Sequence, residues 1–269
     1  MRLPTYFISH GGGPWPWMDE MRAKMGGLER ALREMPREIG VDPAAVLMVS
    51  AHWEEPVVSV MASPRPGMLY DYYGFPPHTY KVVYPAPGAP ALAERVVALI
   101  QAAGRPARLD AERGFDHGAF VPLALMYPEA QVPVVQLSLK QGLDPAEHIA
   151  LGRALAPLRD EGVLIVGSGL SYHNLRAFGP QGREPSRAFD QWLQDTMAGS
   201  DPVQREAQLV NWTAAPAARA AHPREEHLIP LMVASGAAAD ELAACNYREE
   251  WPMGLVVSNF RFGALPAAR

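Results

Sequence analysis

Eight histidines are spread through the 269 residues, and their neighbours decide which of them could do chemistry. His10 closes the apolar run Tyr6-Phe7-Ile8-Ser9 and opens into Gly11-Gly12-Gly13-Pro14, where glycine allows positive φ and close approach of the backbone to a ligand. His52 closes a second run in Val49-Ser50-Ala51-His52-Trp53-Glu54, and His173 follows a third in Gly167-Ser168-Gly169-Leu170-Ser171-Tyr172-His173-Asn174. His117 sits in a glycine-flanked loop, Gly114-Phe115-Asp116-His117-Gly118, and His227 is expected to start an amphipathic helix after Pro223-Arg224-Glu225-Glu226. His78, His148 and His222 lack such settings, and His148 is expected on an exposed helix face beside Glu147. One histidine at a strand end is ordinarily a hydrogen-bonded structural residue. Five in glycine-rich or helix-start settings exceed that need, because buried imidazoles without partners are costly. Imidazole nitrogens suit Fe, Zn, Cu and Ni rather than Mg or Ca, so the pattern implies a mononuclear transition metal. Three ligands with open positions would make the site catalytic and leave two histidines for proton transfer. No local H-E-x-x-H spacing is present, so the signal is a constellation across the chain.

Other chemistries are weaker. Gly167-Ser168-Gly169 lacks the G-x-S-x-G spacing of a nucleophile elbow and reads as a tight strand-end turn. Gly11-Gly12-Gly13 could form an anion nest, but no P-loop Lys-Ser/Thr follows. Cys245, the one cysteine, excludes an internal disulfide and a thiolate zinc cluster; it is expected near the end of an Ala-rich helix as a small buried hydrophobe. Any metal must be held by His, Asp or Glu. The net charge of −5, without an extended Lys/Arg run, argues against nucleic acid as partner. No stretch approaches the roughly 18 apolar residues of a membrane span, and Met1-Arg2-Leu3-Pro4 leads straight into a strand-like segment, so a cytoplasmic protein with no membrane partner is expected.

The elements that must position these histidines follow from hydrophobic pattern. Apolar runs at Tyr6–Ser9, Ala45–Ser50, Val132–Ser138, Gly162–Ser168 and Leu255–Ser258 read as buried strands of a parallel sheet covered on both faces. Helical periodicity marks Leu28–Met35, Pro90–Ala103, Pro145–Arg159, Ser186–Ala198 and His227–Ala239, and the Ala-rich stretch Ala214–Ala221 reads as a helix end. Alternating strands and helices predict a single α/β domain over residues 1–269, with a mostly parallel central sheet covered by helices and the metal site at the strand ends. The 27 prolines concentrate in loops and stiffen them.

Ile8-Ser9-His10-Gly11-Gly12-Gly13-Pro14, Ser50-Ala51-His52-Trp53-Glu54, Tyr84-Pro85-Ala86-Pro87-Gly88, Gly114-Phe115-Asp116-His117-Gly118, the segment Gly167–Leu175 and His222-Pro223-Arg224-Glu225-Glu226-His227-Leu228 together resemble the class III extradiol ring-cleavage dioxygenases. The resemblance is to the DOPA 4,5-dioxygenase-like branch and covers essentially the whole chain in order. It implies a single-domain α/β fold with a non-haem metal, Fe(II) for catalysis, with zinc possible in isolated protein. It also implies metal binding at His10, His52 and His227, with acid and base at His117 and His173. The two-chain protocatechuate branch has a carboxylate as third ligand where this chain has His227, which makes Glu54, Glu225 and Glu226 competing ligands. Asp116 and Glu54 are otherwise expected to orient site histidines or, for Asp116, to cap the following turn. The implied reaction takes a catechol and O2 to a muconic semialdehyde. His173 is the base for the catechol proton, His117 the acid on the oxygen side; a fourth-ligand role for His173 in a substrate-free zinc form stays open. Trp15, Trp17, Trp53, Tyr72, Tyr73, Phe75 and Tyr172 could line an arene pocket or simply pack.

Two other functions use the same residues. A zinc-dependent hydrolase would lower the pKa of a metal-bound water and need no oxygen. A closed metal-binding or scaffold site would have no use for two extra acid/base groups.

Overall fold

The computed structural model describes residues 2–199 and 201–266; Met1, where the reading of the N-terminal segment began, lies outside them. Among the described residues eight strands form one sheet: β1 (Thr5–Ser9), β2 (Ala45–Glu55), β3 (Val58–Met61), β4 (Ala107–Asp110), β5 (Val134–Lys140), β6 (Val163–Gly169), β7 (Ala243–Glu250) and β8 (Val256–Phe262). Their order is β4-β3-β5-β2-β6-β1-β8-β7. The four central strands β5, β2, β6 and β1 are mutually parallel, while β3 on one side and β8 on the other are antiparallel to the strands they join. The carboxyl ends of β2, β6 and β1 therefore open at one rim.

Both faces of the central strands are apolar, as a doubly covered sheet requires. Phe7, Leu47, Val49, Val163 and Ile165 face α3 (Pro90–Ala102), α5 (Pro145–Leu155), α6 (Arg183–Ala198) and α9 (Ile229–Ala238). Their alternating neighbours Tyr6, Ile8, Val46, Met48, Leu164 and Val166 face α2 (Gly26–Ile39) and α4 (His117–Met126). The period of two along each strand sends successive side chains into separate cores. No helix among the described residues is long and apolar enough to cross a membrane.

Four local expectations are corrected. His117 is the first residue of α4, not a loop residue, because the Asp116 side chain caps that helix by accepting from the Ala119 amide. His227 lies in the turn before α9, and α9 is buried on every side rather than amphipathic, since it runs between the sheet and α5. His148 is fully buried: its ring bonds the Asp144 carbonyl at 2.7 Å and accepts from the Lys140 amide at 3.1 Å, tying α5 to β5. Cys245 sits exposed on β7, beyond the end of α9, and its thiol donates to the Tyr247 carbonyl at 3.2 Å. The Ala-rich stretch begins at the end of a 3-10 turn, Trp212–Ala214, and closes with the short helix α8 (Ala218–Ala221); α1 (Asp19–Lys24) and α7 (Pro202–Val210) are the other α-helices among the described residues.

Candidate active site

The end of β6 fixes two of the histidines through the backbone. The Gly169 carbonyl accepts from the His10 amide at 3.1 Å, and the Leu170 amide donates to the His227 carbonyl at 3.0 Å. His10 leaves β1, where its carbonyl accepts from Trp15 Nε1 at 2.8 Å. Gly11, at φ +79°, turns the chain where a side chain would run into the Trp15 indole. His52 stands where the pairing of β2 with β5 slips between Val49 and Glu54. His173 follows β6, with its amide donating to Ala221 at 3.0 Å.

These elements bring all five histidines into one cluster. Ring centroids of His10 lie 4.9, 5.2 and 5.2 Å from those of His52, His117 and His227. His52 lies 3.9 Å from His117 and 4.8 Å from His227, and His173 stacks on His227 at 3.4 Å. Nitrogens of His10, His52 and His117 are close enough to hold one ion, and His173, Glu226 and His227 form an adjoining group of the same kind. His78, His148 and His222 have partners elsewhere: the Trp17 carbonyl, the α5–β5 contact, and the Ser171 carbonyl at 3.0 Å.

Two carboxylates stand behind the cluster. Asp71 meets His52 Nδ1 with Oδ2 at 3.2 Å and His117 Nδ1 with Oδ1 at 2.8 Å, while Oδ1 also accepts from the His117 amide at 2.9 Å. Glu226 meets both His173 Nδ1 (3.1 Å) and His227 Nδ1 (2.9 Å) with a single oxygen, Oε1. Burial tends to raise both acids, but hydrogen bonds from His117 to Asp71 and from His173 to Glu226, with the nearby positive charge, hold both below the ordinary carboxylate range. Burial, then the neighbouring imidazoles, push His10, His52 and His227 well below the usual histidine value, so these rings are neutral near pH 7.

The donor chemistry fits a divalent cation. An ionised carboxylate only accepts, so in the neutral rings of His52 and His227 the Nδ1 facing Asp71 or Glu226 carries the hydrogen and Nε2 is a lone pair. His52 Nε2 and His227 Nε2 face one another at 3.2 Å. Two lone pairs at that distance repel, whereas two nitrogens bonded at about 2.1 Å to one ion stand roughly 3.0 to 3.4 Å apart. His10 is 1% exposed, yet neither ring nitrogen has a partner among the described residues, which is costly unless something else binds there.

Of the three competing carboxylates, Glu226 stays in the cluster, bonded to the His173 and His227 rings, while Glu54 and Glu225 are held outside it, as is Asp116, expected to orient a histidine or cap a turn. Asp116 is fully buried and committed to Ser50 Oγ, the Arg113 guanidinium, Gln136 and the α4 amide; burial, with the charge of Asp71, raises it. Glu54 forms a two-pronged pair with Arg224 at 2.5 Å, and Glu225 pairs with Arg219. Sequence reasoning missed Asp71, which lies in an irregular aromatic loop without periodicity, and took Glu226 only for a possible ligand. Of the seven aromatic candidates, Tyr72 lies against a site ring, 5.8 Å from His117. Trp15 and Trp53 are core residues with bonded indole nitrogens, and Tyr73 is 91% exposed.

Residues 4–258 match the family described as the catalytic LigB subunit of aromatic ring-opening dioxygenase. The chain is 41% identical to a 4,5-DOPA dioxygenase extradiol of Beta vulgaris, over 94% of this chain and 93% of that protein. It is 40% identical to the protein of the same name from Portulaca grandiflora, over 97% and 96%. The crystal structure of an uncharacterized protein from Escherichia coli K12 superposes with a TM-score of 0.77 and 31% identity, covering 97% of this chain and 100% of that one. A match along nearly the full length, together with a histidine cluster at the carboxyl rim of a largely parallel sheet, leads to one conclusion: the chain belongs to the LigB family and is a class III extradiol ring-cleavage dioxygenase.

Proposed function

We propose that the substrate is a catechol carrying a DOPA-like or other substituent, opened by O2 to a muconic semialdehyde, with His10, His52 and His227 holding Fe(II). The observation that carries this reading is the approach of His52 Nε2 and His227 Nε2 to 3.2 Å beside the buried His10 ring, whose nitrogens have no partner among the described residues. When bound, Fe(II) balances the charge of a catecholate and lets electron density pass from ring to dioxygen, which redox-inactive zinc does not do. The remaining work falls to side chains. His173, with 16% of its side chain accessible, is the more open of the two proton-moving candidates. Its Nε2 takes a phenolic proton, and the resulting imidazolium is stabilised through Nδ1 by Glu226. Its stacking on His227 holds the ring beside the ligand set.

His117 is fixed at the start of α4 and through Nδ1 by Asp71, and it serves as the acid that returns a proton to a departing oxygen. Tyr72 closes the His117 side; its hydroxyl is tied to the Thr79 carbonyl at 2.7 Å, leaving an aromatic wall rather than a polar one.

The test is anaerobic Fe(II) loading, exposure to a panel of substituted catechols, and parallel measurement of O2 uptake and the yellow semialdehyde chromophore. The expected result is one O2 consumed per ring opened, with zinc-loaded protein inactive. Turnover of esters or amides by zinc-loaded protein without oxygen would instead establish the hydrolase.

A further inference from the structure

We propose that Asp71 and Glu226 are paired positioning residues, each holding the Nδ1 of one metal-holding and one proton-moving histidine so that the four Nε2 atoms are presented inward. This rests on the metal site proposed above. The pairing crosses the two roles: Asp71 serves His52 and His117, and Glu226 serves His173 and His227. A histidine whose Nδ1–H is held by a carboxylate presents a more basic Nε2 in a fixed direction, to a metal or to a proton alike.

The two carboxylates do this differently, and the difference makes the inference testable. Asp71 divides the task between oxygens, with Oδ2 for His52 and Oδ1 for the ring and amide of His117. An amide keeps only one acceptor oxygen. In Asp71→Asn that oxygen belongs on the Oδ1 side, where two donors converge, so the new NH2 faces His52 Nδ1. His52 must then move its hydrogen to Nε2, inside the cluster, and cease to be a ligand. Glu226 meets both rings with Oε1; its Oε2 has no hydrogen-bond partner among the described residues and lies 3.5 Å from Arg224 Nη1. Glu226→Gln can put its amide oxygen where Oε1 stands and serve both rings unchanged.

The experiment measures Co(II) affinity of wild type, Asp71→Asn, Glu226→Gln and Glu226→Ala, and reads ring tautomers in the metal-free proteins by long-range 1H–15N NMR of labelled histidine. Glu226→Gln is expected to bind within about threefold of wild type, while Asp71→Asn and Glu226→Ala weaken binding about 10- to 100-fold. The spectra should show Nδ1–H on His52, His117, His173 and His227 in wild type and Glu226→Gln, and Nε2–H on His52 in Asp71→Asn. Should Asp71→Asn fail to fold, the contrast between Gln and Ala at position 226 still decides, because a general need for negative charge would make the two equally harmful. Equal loss in Glu226→Gln and Glu226→Ala, or wild-type affinity in Asp71→Asn, overturns the inference. The metal reading fails separately, through wild-type protein that binds no Co(II), and the tautomers are read without metal in either case.

Discussion

Imidazoles that hold an ion and imidazoles that move protons differ in what their loss removes. His173→Gln and His117→Gln are expected to keep one metal per chain while kcat falls about 10²- to 10⁴-fold, the usual range for a displaced acid or base. His52→Ala should lose the metal itself, read by metal analysis after gel filtration. His148→Ala should lower the melting temperature, because it empties a buried, doubly bonded position, yet leave metal content intact. His222 reports on pH: it is fully buried, and burial is the main cause lowering its pKa to about 4. Between pH 6.5 and about 4 the unfolded chain takes up a proton that the folded state refuses, so stability falls as pH drops through that window. That contribution is on the order of 3 kcal/mol. His222→Gln should flatten the decline in unfolding free energy between pH 7 and pH 5, measured with urea; an unchanged slope would refute this. The five site histidines were legible because strand ends, glycines and a helix start announce a position at the sheet rim. Asp71 was not legible: Tyr70-Asp71-Tyr72-Tyr73 carries no periodicity, and its approach to two histidines exists only after folding.

Close contact at strand ends is what turns a residue position into a direction. A Cβ on Gly169 would overlap the His227 carbonyl oxygen and stand 3.2 Å from the Phe7 ring. Gly169→Ala should therefore cost about 1 to 3 kcal/mol by overpacking and also weaken metal retention through the displaced His227. Gly26→Ala, with nothing within 4 Å of the added carbon, should change stability by less than about 0.5 kcal/mol and leave the metal alone. Isothermal titration and thermal melts on the pair separate the two effects. The same geometry explains which elements showed in the residues. The central strands β1, β2, β5 and β6 are apolar on both faces and stand out as runs. At the edges β4 (Ala-Arg-Leu-Asp) and β7 (Ala-Ala-Cys-Asn-Tyr-Arg-Glu-Glu) escape such a search, because an edge strand keeps polar residues and charges. β2 runs past Ser50 through His-Trp-Glu-Glu because the slipped pairing with β5 carries the polar residues onward. α4 was hidden by Gly118 and Pro122, both poor helix formers, and is held by the Asp116 cap and burial instead.

Across the whole molecule the two ends of the central strands have separate duties. At the amino ends the buried Arg159 donates to the Leu3 carbonyl (2.6 Å), the Ala237 carbonyl (3.0 Å) and Glu241 (2.7 Å), joining the segment before β1, α9 and the segment before β7. Arg159→Ala leaves the Leu3 and Ala237 carbonyls without this donor, while Glu241 keeps Arg2, and should cost roughly 2 to 5 kcal/mol. Metal affinity measured at a temperature where the variant is folded should stay unchanged, since the site lies at the opposite ends. A parallel loss of affinity would show that the two ends are coupled. The position of β1 between β6 and β8 also has a consequence for biosynthesis. The segment Tyr6-Phe7-Ile8 is made more than 150 residues before its neighbours, residues 163–169 and 256–262. Until they follow, an apolar strand has no native partner, and pairings so distant in sequence close slowly. The nascent chain therefore carries an aggregation-prone segment that depends on chaperone capacity, and the completed histidine cluster has to wait for residue 227.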